Sequence, residues 1–322
     1  MTEKVLLTGA GQVGAQMIKL LHEEYGVTPV VIDLKFDWDY LDTVIPRDYY
    51  TPVQGSVLDK ALIADTLKKH GITRISHSAA VLPMRVGHDP HPGFFEVNVH
   101  GTSDLIFAAM DAGVKRFLMF STNGVYQFRE HGVSAPVDED YPTGLCLHNS
   151  YGNSKAIVEN LLKEVTMAGR IEGCILRPGE IYGPVFSRPQ DTDIYWKSMI
   201  DAAIDGTPFT LKGHPEHRLD WVYCKDVAEA ACLVLMADEV PSPAYNISYG
   251  HCMGIYDIKE ELDRQYPGNK VEFQDCSRGG WNYPQSNRRL KEDMGFERQF
   301  DLAAGIADYA AWYEQVKKGS EG

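Results

Sequence analysis

Val5-Leu6-Leu7-Thr8-Gly9-Ala10-Gly11-Gln12-Val13-Gly14 joins a short apolar run to a glycine-rich turn, and the amphipathic stretch Gln12 to Leu21 follows at once. A buried strand, a G-x-G-x-x-G turn and a helix, in that order, form the opening unit of a sheet that binds a dinucleotide. Gly9, Gly11 and Gly14 let the backbone turn tightly and approach a pyrophosphate. That group then lies against the N–H groups that begin the helix, where Gln12 and Val13 stand. Pro29-Val30-Val31-Ile32 reads as the second strand, and Asp33 at its end is placed to accept hydrogen bonds from the adenosine ribose hydroxyls. A 2′-phosphate there would meet a like charge with no arginine beside it and only Lys35 as partial offset, so NAD is favoured over NADP.

Working outward, β-branched runs alternate with amphipathic stretches. Thr73 to His77 and Arg116 to Phe120 read as strands, and Phe94 to Ala112 as a helix stopped by Gly113. Tyr151 to Ala168 is a further helix, and the strand Gly173 to Leu176 ends at Arg177-Pro178-Gly179. Beyond this, Pro184, Pro189, Pro208, Pro215, Pro241 and Pro243 interrupt the chain. Asp226 to Met236 reads as a helix returning to the main sheet, and Leu302 to Val316 as the closing helix. The expected architecture is α/β: a doubly wound parallel sheet of Rossmann type with a smaller, loop-rich C-terminal substrate-binding region. Residues 1–180 would form the NAD-binding domain, its sheet joined by parts of 218–250, and 181–322 mainly the substrate-binding region.

Composition narrows the class. With 322 residues, 44% of them hydrophobic, the chain can bury a full core and is neither a disulfide miniprotein nor a disordered segment. A formal charge of −14 argues against a nucleic-acid partner, which would call for clustered Lys and Arg. No run approaches the roughly 20 apolar residues of a membrane span, and the apolar run at Val5 passes straight into glycines rather than a leader cleavage site. Cys146, Cys174, Cys224, Cys232, Cys252 and Cys276 lack metal or disulfide spacing, so reduced thiols in a cytoplasmic protein are expected.

Tyr151-Gly152-Asn153-Ser154-Lys155 sets two ionisable side chains four residues apart, on one helix face. A phenol is a poor base at neutral pH. A neighbouring ammonium and the positive nicotinamide would stabilise its phenolate, and Lys155 can also hold the nicotinamide ribose. Tyr151 would then exchange a proton with a substrate hydroxyl or carbonyl. The strand before it ends Phe120-Ser121-Thr122-Asn123-Gly124-Val125-Tyr126, and a hydroxyl from Ser121 or Thr122 would orient the substrate oxygen.

Taken with His77-Ser78-Ala79-Ala80, Asn98-Val99-His100-Gly101-Thr102, Arg177 to Pro184, Asp226-Val227-Ala228 and Tyr245-Asn246-Ile247-Ser248, these motifs resemble the extended short-chain dehydrogenase/reductase family. That branch holds NAD-dependent epimerases, dehydratases and dehydrogenases, and the resemblance covers nearly the whole chain. It implies a catalytic triad of Thr122, Tyr151 and Lys155. It implies cofactor contacts from Gly9, Gly11, Gln12, Val13, Gly14, Asp33, Ser56, Val57, Ala79, Ala80, Ser121, Pro178 and Ile181, with Asn98 ordering the sheet around the site. It also implies a homodimer built on a four-helix bundle that includes the Tyr-Lys helix. Four departures matter. The first loop is one residue shorter than the extended pattern, and Ser56 stands where an aspartate commonly faces the adenine. Asn123-Gly124 replaces the Asp-Glu pair with which sugar-nucleotide dehydratases eliminate water. Arg218 stands one place early in the segment that holds a substrate diphosphate, with Leu219 in the arginine's place.

The resulting expectation is an NAD-dependent oxidoreductase moving hydride between the nicotinamide and a secondary alcohol or ketone of a polar, sugar-derived substrate. A sugar or nucleotide-sugar epimerase is the first alternative, and a non-catalytic NAD-sensing protein the second. Met84, Arg85, Thr122, Asn123, Glu180 and Arg218 are the candidate substrate contacts, with Trp221 and Trp281 as further cavity-facing candidates. His88, His91, His214, His217 and His251 have no helical ligand spacing and read as loop histidines rather than metal ligands.

Overall fold

The computed structural model describes residues 3–87, 90–127, 136–147, 149–186, 195–213, 218–275 and 283–320. Its centre is a sheet of seven strands: β1 (Val5–Thr8), β2 (Val30–Asp33), β3 (Thr51–Gln54), β4 (Arg74–His77), β5 (Arg116–Phe120), β6 (Glu172–Pro178) and β11 (Ala244–Ile247). They lie in the order β11-β6-β5-β4-β1-β2-β3, and every neighbouring pair is parallel. Strand order reverses between β1 and β4, which opens a crevice at the carboxyl ends of the strands. All residues of β1, β4 and β5 are buried, as strands covered by helices on both faces must be. The edge strand β3 was not anticipated from sequence; Pro52 is tolerated there because an edge has ladder positions without a partner.

On one face pack α1 (Gln12–Glu23) and a helix that arrives late in the chain, Cys224–Met236. Met17, Ile18 and Leu21 meet Val227, Ala230, Ala231 and Val234 in one apolar cluster. The opposite face is covered by α2 (Lys60–His70), α3 (Thr102–Asp111) and α4 (Ser150–Met167), through Ile63, Leu67, Leu105, Ile106, Val158 and Leu162. Two buried arginines at the starts of β4 and β5 complete the late helix. Arg74 donates to the carbonyls of Leu235 and Ala237, and Arg116 to those of Val234, Leu235 and Ala237, satisfying groups that a helix end leaves open.

The single helix expected over Phe94 to Ala112 is a composite. A turn at Pro92–Phe95 leads into π-helical Glu96–Gly101 and then α3. The wider π turn carries Asn98 into the interior, where its amide pairs with the backbone of Val81. Outside the main sheet, β7 (Glu180–Tyr182) pairs in parallel with β10 (Trp221–Tyr223). β8 (Phe209–Gly213) pairs with β13 (Val271–Asp275), and β9 (Arg218–Leu219) with β12 (Met253–Gly254). Helices Tyr195–Asp205, Ile255–Gln265 and Leu302–Ser320 enclose these pairs. Among the described residues no helix is long and apolar enough to cross a membrane.

His77 gives the fold a pH signature. The imidazole is fully buried, with Nδ1 bonded to the Thr8 hydroxyl at 2.7 Å and Nε2 to that of Thr102 at 2.8 Å. Burial, then the charge of Lys155, depresses its pKa to about 3. The unfolded chain therefore takes up a proton below the ordinary value that the fold refuses, and the His77 contribution falls by about 1.4 kcal/mol per pH unit between about 6.5 and 3. Asp220 and Asp226, pushed up to about 6 by burial, act in the opposite sense, since the fold holds their protons more tightly than the unfolded chain. In urea unfolding at pH 7 and pH 5, a His77→Gln variant is expected to narrow its stability deficit relative to the parent by about 2 kcal/mol at the lower pH.

Candidate active site

The glycine-rich turn after β1 is built by close approach. Gly9 takes a φ of +97°, and a side-chain carbon on Gly14 would lie 2.2 Å from the Gly9 carbonyl oxygen. Gly11 caps α1 without a side chain, and a carbon added there would meet nothing within 4 Å. The first N–H groups of α1 lack intrahelical partners, and no acidic residue stands in the first turn to compete. Among the described residues the buried Gln12 amide nitrogen has no hydrogen-bond partner. An open cradle, unpaired donors and an unused amide fit the pyrophosphate of NAD.

Asp33 ties β2 to this loop, accepting from Ala10 N at 2.7 Å and from Lys35 N at 2.9 Å. Each carboxylate oxygen retains a lone pair for a ribose hydroxyl. Ser56 caps its own turn through Leu58 N at 3.1 Å, beside buried Val57. Ala79 N reaches Thr8 Oγ1 at 3.3 Å, and Ala80 continues the loop from β4. Asn98 holds the next residue, Val81, through N–H and C=O at 2.8 and 3.1 Å, and donates to Ser154 Oγ at 3.2 Å. Ser154 in turn donates to the Tyr151 carbonyl at 2.7 Å. One amide therefore links the loop after β4 to the helix that carries Tyr151 and Lys155.

That helix is anchored from its other side by Asn149, which sequence reading missed. Its Oδ1 accepts from Gly152 N at 2.9 Å as an N-cap, while Nδ2 donates to the Gly124 carbonyl at 2.6 Å. A side-chain carbon at Gly152 would sit 2.3 Å from that same carbonyl, so only glycine lets α4 approach the turn after β5 this closely. An asparagine before a helical run is an N-cap signal, but its second bond, across to Gly124, has no local signature. Thr122 is half-buried and caps the turn, accepting from Gly124 N at 3.1 Å; Asn123 lies half-buried beside it, and Ser121 is buried.

Lys155 is almost wholly buried and donates to the Phe120 carbonyl at 2.9 Å, with its ammonium 6.0 Å from the Tyr151 ring centre. Burial pushes its pKa down to about 8, opposed by the charge of Glu159. Tyr151 packs against Phe94, and burial followed by the Glu180 carboxylate holds its phenol well above the usual range. The sequence expectation that Lys155 lowers this pKa is not met by the protein's own groups, because the ammonium is directed at a backbone carbonyl.

Pro178 ends β6, and Ile181 lies half-buried in β7. Glu180, on the same strand, is exposed and close enough for its charge to act on Tyr151. Met84 and Arg85 lie on the short helix Pro83–Val86, where Arg85 is exposed and the Met84 side chain is outside the description. Arg218 donates to the Cys252 carbonyl at 3.1 and 3.0 Å and pairs with Asp257 at 2.8 Å. Trp221 corrects the expectation of a cavity-facing ring: it is buried edge-on against Tyr182 and donates to the Met253 carbonyl. The short strand β10 turns it into the core. His91 caps the turn at Pro92–Phe95 and His251 stacks on Tyr249; His88, His214, His217, Trp281 and Cys276 lie outside the described residues. The five described cysteines are free and buried.

The sequence of residues 5–248 matches the NAD dependent epimerase/dehydratase family. The chain belongs to that family. Membership makes it an NAD-dependent enzyme of the extended short-chain type, with NAD as cofactor. It is 25% identical to the dTDP-D-glucose 4,6-dehydratase of Mus musculus, over 97% of this chain and 89% of that one. It is 24% identical to the UDP-glucose 4-epimerase of Rhizobium meliloti, over 98% of each. The solved UDP-glucose 4-epimerase of Stenotrophomonas maltophila, with bound NAD and formylated UDP-arabinopyranose, superposes with a TM-score of 0.85 at 21% identity, covering 98% of this chain and 99% of that one. That of Thermotoga maritima, with UDP-glucose, gives 0.83 at 20%, covering 98% and 99%. These likenesses establish the Rossmann-type fold expected from the sequence.

Proposed function

We propose that this family member is an NAD-dependent oxidoreductase acting on a secondary alcohol or ketone of a polar, sugar-derived substrate. The observation that carries this reading is the double anchoring of α4. Asn98 and Asn149 hold Tyr151 and Lys155 between the loop after β4 and the turn after β5, at the carboxyl ends of the strands that also carry the phosphate loop. When bound, NAD supplies the hydride acceptor and a positive charge beside the phenol. Tyr151 moves the proton of the substrate hydroxyl, Lys155 supplies fixed positive charge and a ribose contact, and Thr122 orients the substrate oxygen. Gly9 to Gly14, Asp33, Ser56, Val57, Ala79, Ala80, Ser121, Pro178 and Ile181 border the cofactor. Residues 1–180 serve mainly the cofactor and 181–322 mainly the substrate, with Met84, Arg85, Asn123, Glu180 and Arg218 facing it.

Asn123-Gly124 offers no acid–base pair for eliminating water, so the 4,6-dehydratase relatives do not supply the activity. Epimerisation is the second reading, favoured by the end-to-end match with UDP-glucose 4-epimerases. The two separate in one assay over a panel of sugars, sugar acids, polyols and UDP-hexoses. Substrate-dependent growth of reduced-nicotinamide absorbance supports the dehydrogenase, and inversion without net absorbance change supports the epimerase. Neither outcome across the panel would leave an NAD-sensing protein.

We further propose a homodimer through the layer that contains α4. Phe95, Phe107 and Ile157 are 48%, 47% and 38% exposed on the Pro92–Phe95 turn, α3 and α4. Exposed apolar side chains on adjoining elements mark an association surface. A Phe107→Asp, Ile157→Asp variant is expected to sediment as a monomer where the parent sediments as a dimer.

A further inference from the structure

The face of α4 that carries Tyr151 and Lys155 continues one turn further to Glu159. This carboxylate is buried to 1% exposure, yet it is fully paired. Arg177, from the neighbouring strand β6 and equally buried, donates Nε to Oε1 at 3.0 Å and an Nη to Oε2 at 2.7 Å. Lys163, one turn beyond, adds a contact at 3.3 Å. Arg177 is itself fixed by the Tyr126 hydroxyl at 3.1 Å and the Glu139 carbonyl at 3.2 Å, and Tyr126 passes the chain on to Asn246 at 2.6 Å. A fork of this geometry locks the anion in one place.

We propose that Glu159, clamped by Arg177, is a positioning residue that holds the buried ammonium of Lys155 in its charged form. The proposal rests on the functional reading above, in which Lys155 acts as a cation toward the cofactor. The need is physical. Lys155 has one neutral hydrogen-bond acceptor, the Phe120 carbonyl, and burial disfavours a charge so placed. On its own helix, Tyr151 is neutral and Glu159 is the nearby anion. From the elements packed against α4, β6 brings Arg177 and, at its far end, Glu172, which is paired with Arg116; the π turn brings Glu96 and His100; and α3 brings Asp104 and Asp111. The turns Pro92–Phe95 and Asn123–Val125 bring no ionisable side chain. His77 on β4 is neutral. Of these, Glu159 is the group whose charge supports Lys155 against its burial.

The test reads Lys155 directly. In protein labelled with 13C-lysine, the Lys155 Cε resonance is assigned by its loss in Lys155→Met and followed with pH, while NAD affinity is measured over the same range. Glu159→Gln leaves Arg177 unpaired and risks misfolding, so Glu159→Gln/Arg177→Met is titrated beside it, with Glu159→Asp as the conservative rescue. The expected result is a Lys155 titration about one unit lower in Glu159→Gln, a roughly tenfold loss of proton affinity, and a smaller lowering in the double variant, where the Arg177 cation leaves with the Glu159 anion. The alkaline fall in NAD affinity should move with it, and Glu159→Asp should titrate near the parent. A Lys155 titration at the parental pH in the folded double variant overturns the proposal, since a purely structural pair would alter stability alone. A titration that moves while the NAD profile stays fixed upholds the charge-holding role and removes Lys155 from the cofactor, which strikes the functional reading separately.

Discussion

Replacing Tyr151 by phenylalanine is expected to lower turnover by about 10²- to 10⁴-fold, the usual range for a proton-transferring group. NAD affinity and the unfolding midpoint should stay close to the parent. The reason lies in how Tyr151 is held: Ser154 and Asn98 bond to its carbonyl and helix, Asn149 caps the turn before it, and the ring packs against Phe94. None of these contacts involves the hydroxyl, so the substitution removes the acid and leaves the scaffold. The measurement is kcat for the substrate found in the panel, beside a thermal unfolding scan. Turnover within threefold of the parent would take Tyr151 out of the chemistry. Because burial and Glu180 hold the phenol protonated, activity is expected to rise with pH toward the alkaline side, until Lys155, at about 8, begins to lose its charge.

Arg177→Met carries the second large effect, on stability. It leaves the Glu159 carboxylate buried with Lys163 as its remaining ion pair, and a buried charge stripped of its main partner costs about 3–5 kcal/mol. Burial alone would raise the Glu159 pKa, and it is the bonds and charge of Arg177 that carry it below its ordinary value. Without the guanidinium, that carboxylate should bind a proton near neutral pH. The variant is therefore expected to recover stability as pH falls from 7 to 5, opposite to the His77 contribution. Denaturant titration at the two pH values checks both size and sign. Removing both partners restores neutrality and should return most of the loss.

The glycine-rich turn after β1 and the pairing of Tyr151 with Lys155 on one helix face were legible because their geometry is local. Gly9 and Gly14 are required by a turn that closes within six residues, and Tyr151 and Lys155 meet on one helix face through spacing alone. The strands β1, β2, β5 and β6 announced themselves as short runs rich in apolar residues for the same reason, whereas β3 and β11 did not. What escaped depends on partners distant in sequence. Asn149 matters because of the Gly124 carbonyl across the site, and Glu159 because β6 happens to present Arg177 to α4. Arg74 and Arg116 stand at strand starts, yet they close the end of a helix more than a hundred residues away. Trp221 was misread because a three-residue strand shows too little alternation to reveal which side is buried. The Tyr151 phenol was misjudged because spacing tells that an ammonium is near, but not that it points at Phe120.

The late arrival of β11 has a bearing on how such a chain is made. Six strands of the sheet are complete by residue 178, but the seventh comes from Ala244–Ile247, and the helix that covers α1 from Cys224–Met236. On a ribosome, the first half would emerge with the β6 edge bare and the α1 face uncovered, an adhesive intermediate until some seventy further residues follow. A sequence change that slows this stretch from joining the sheet is therefore expected to reduce yield without touching the finished sheet.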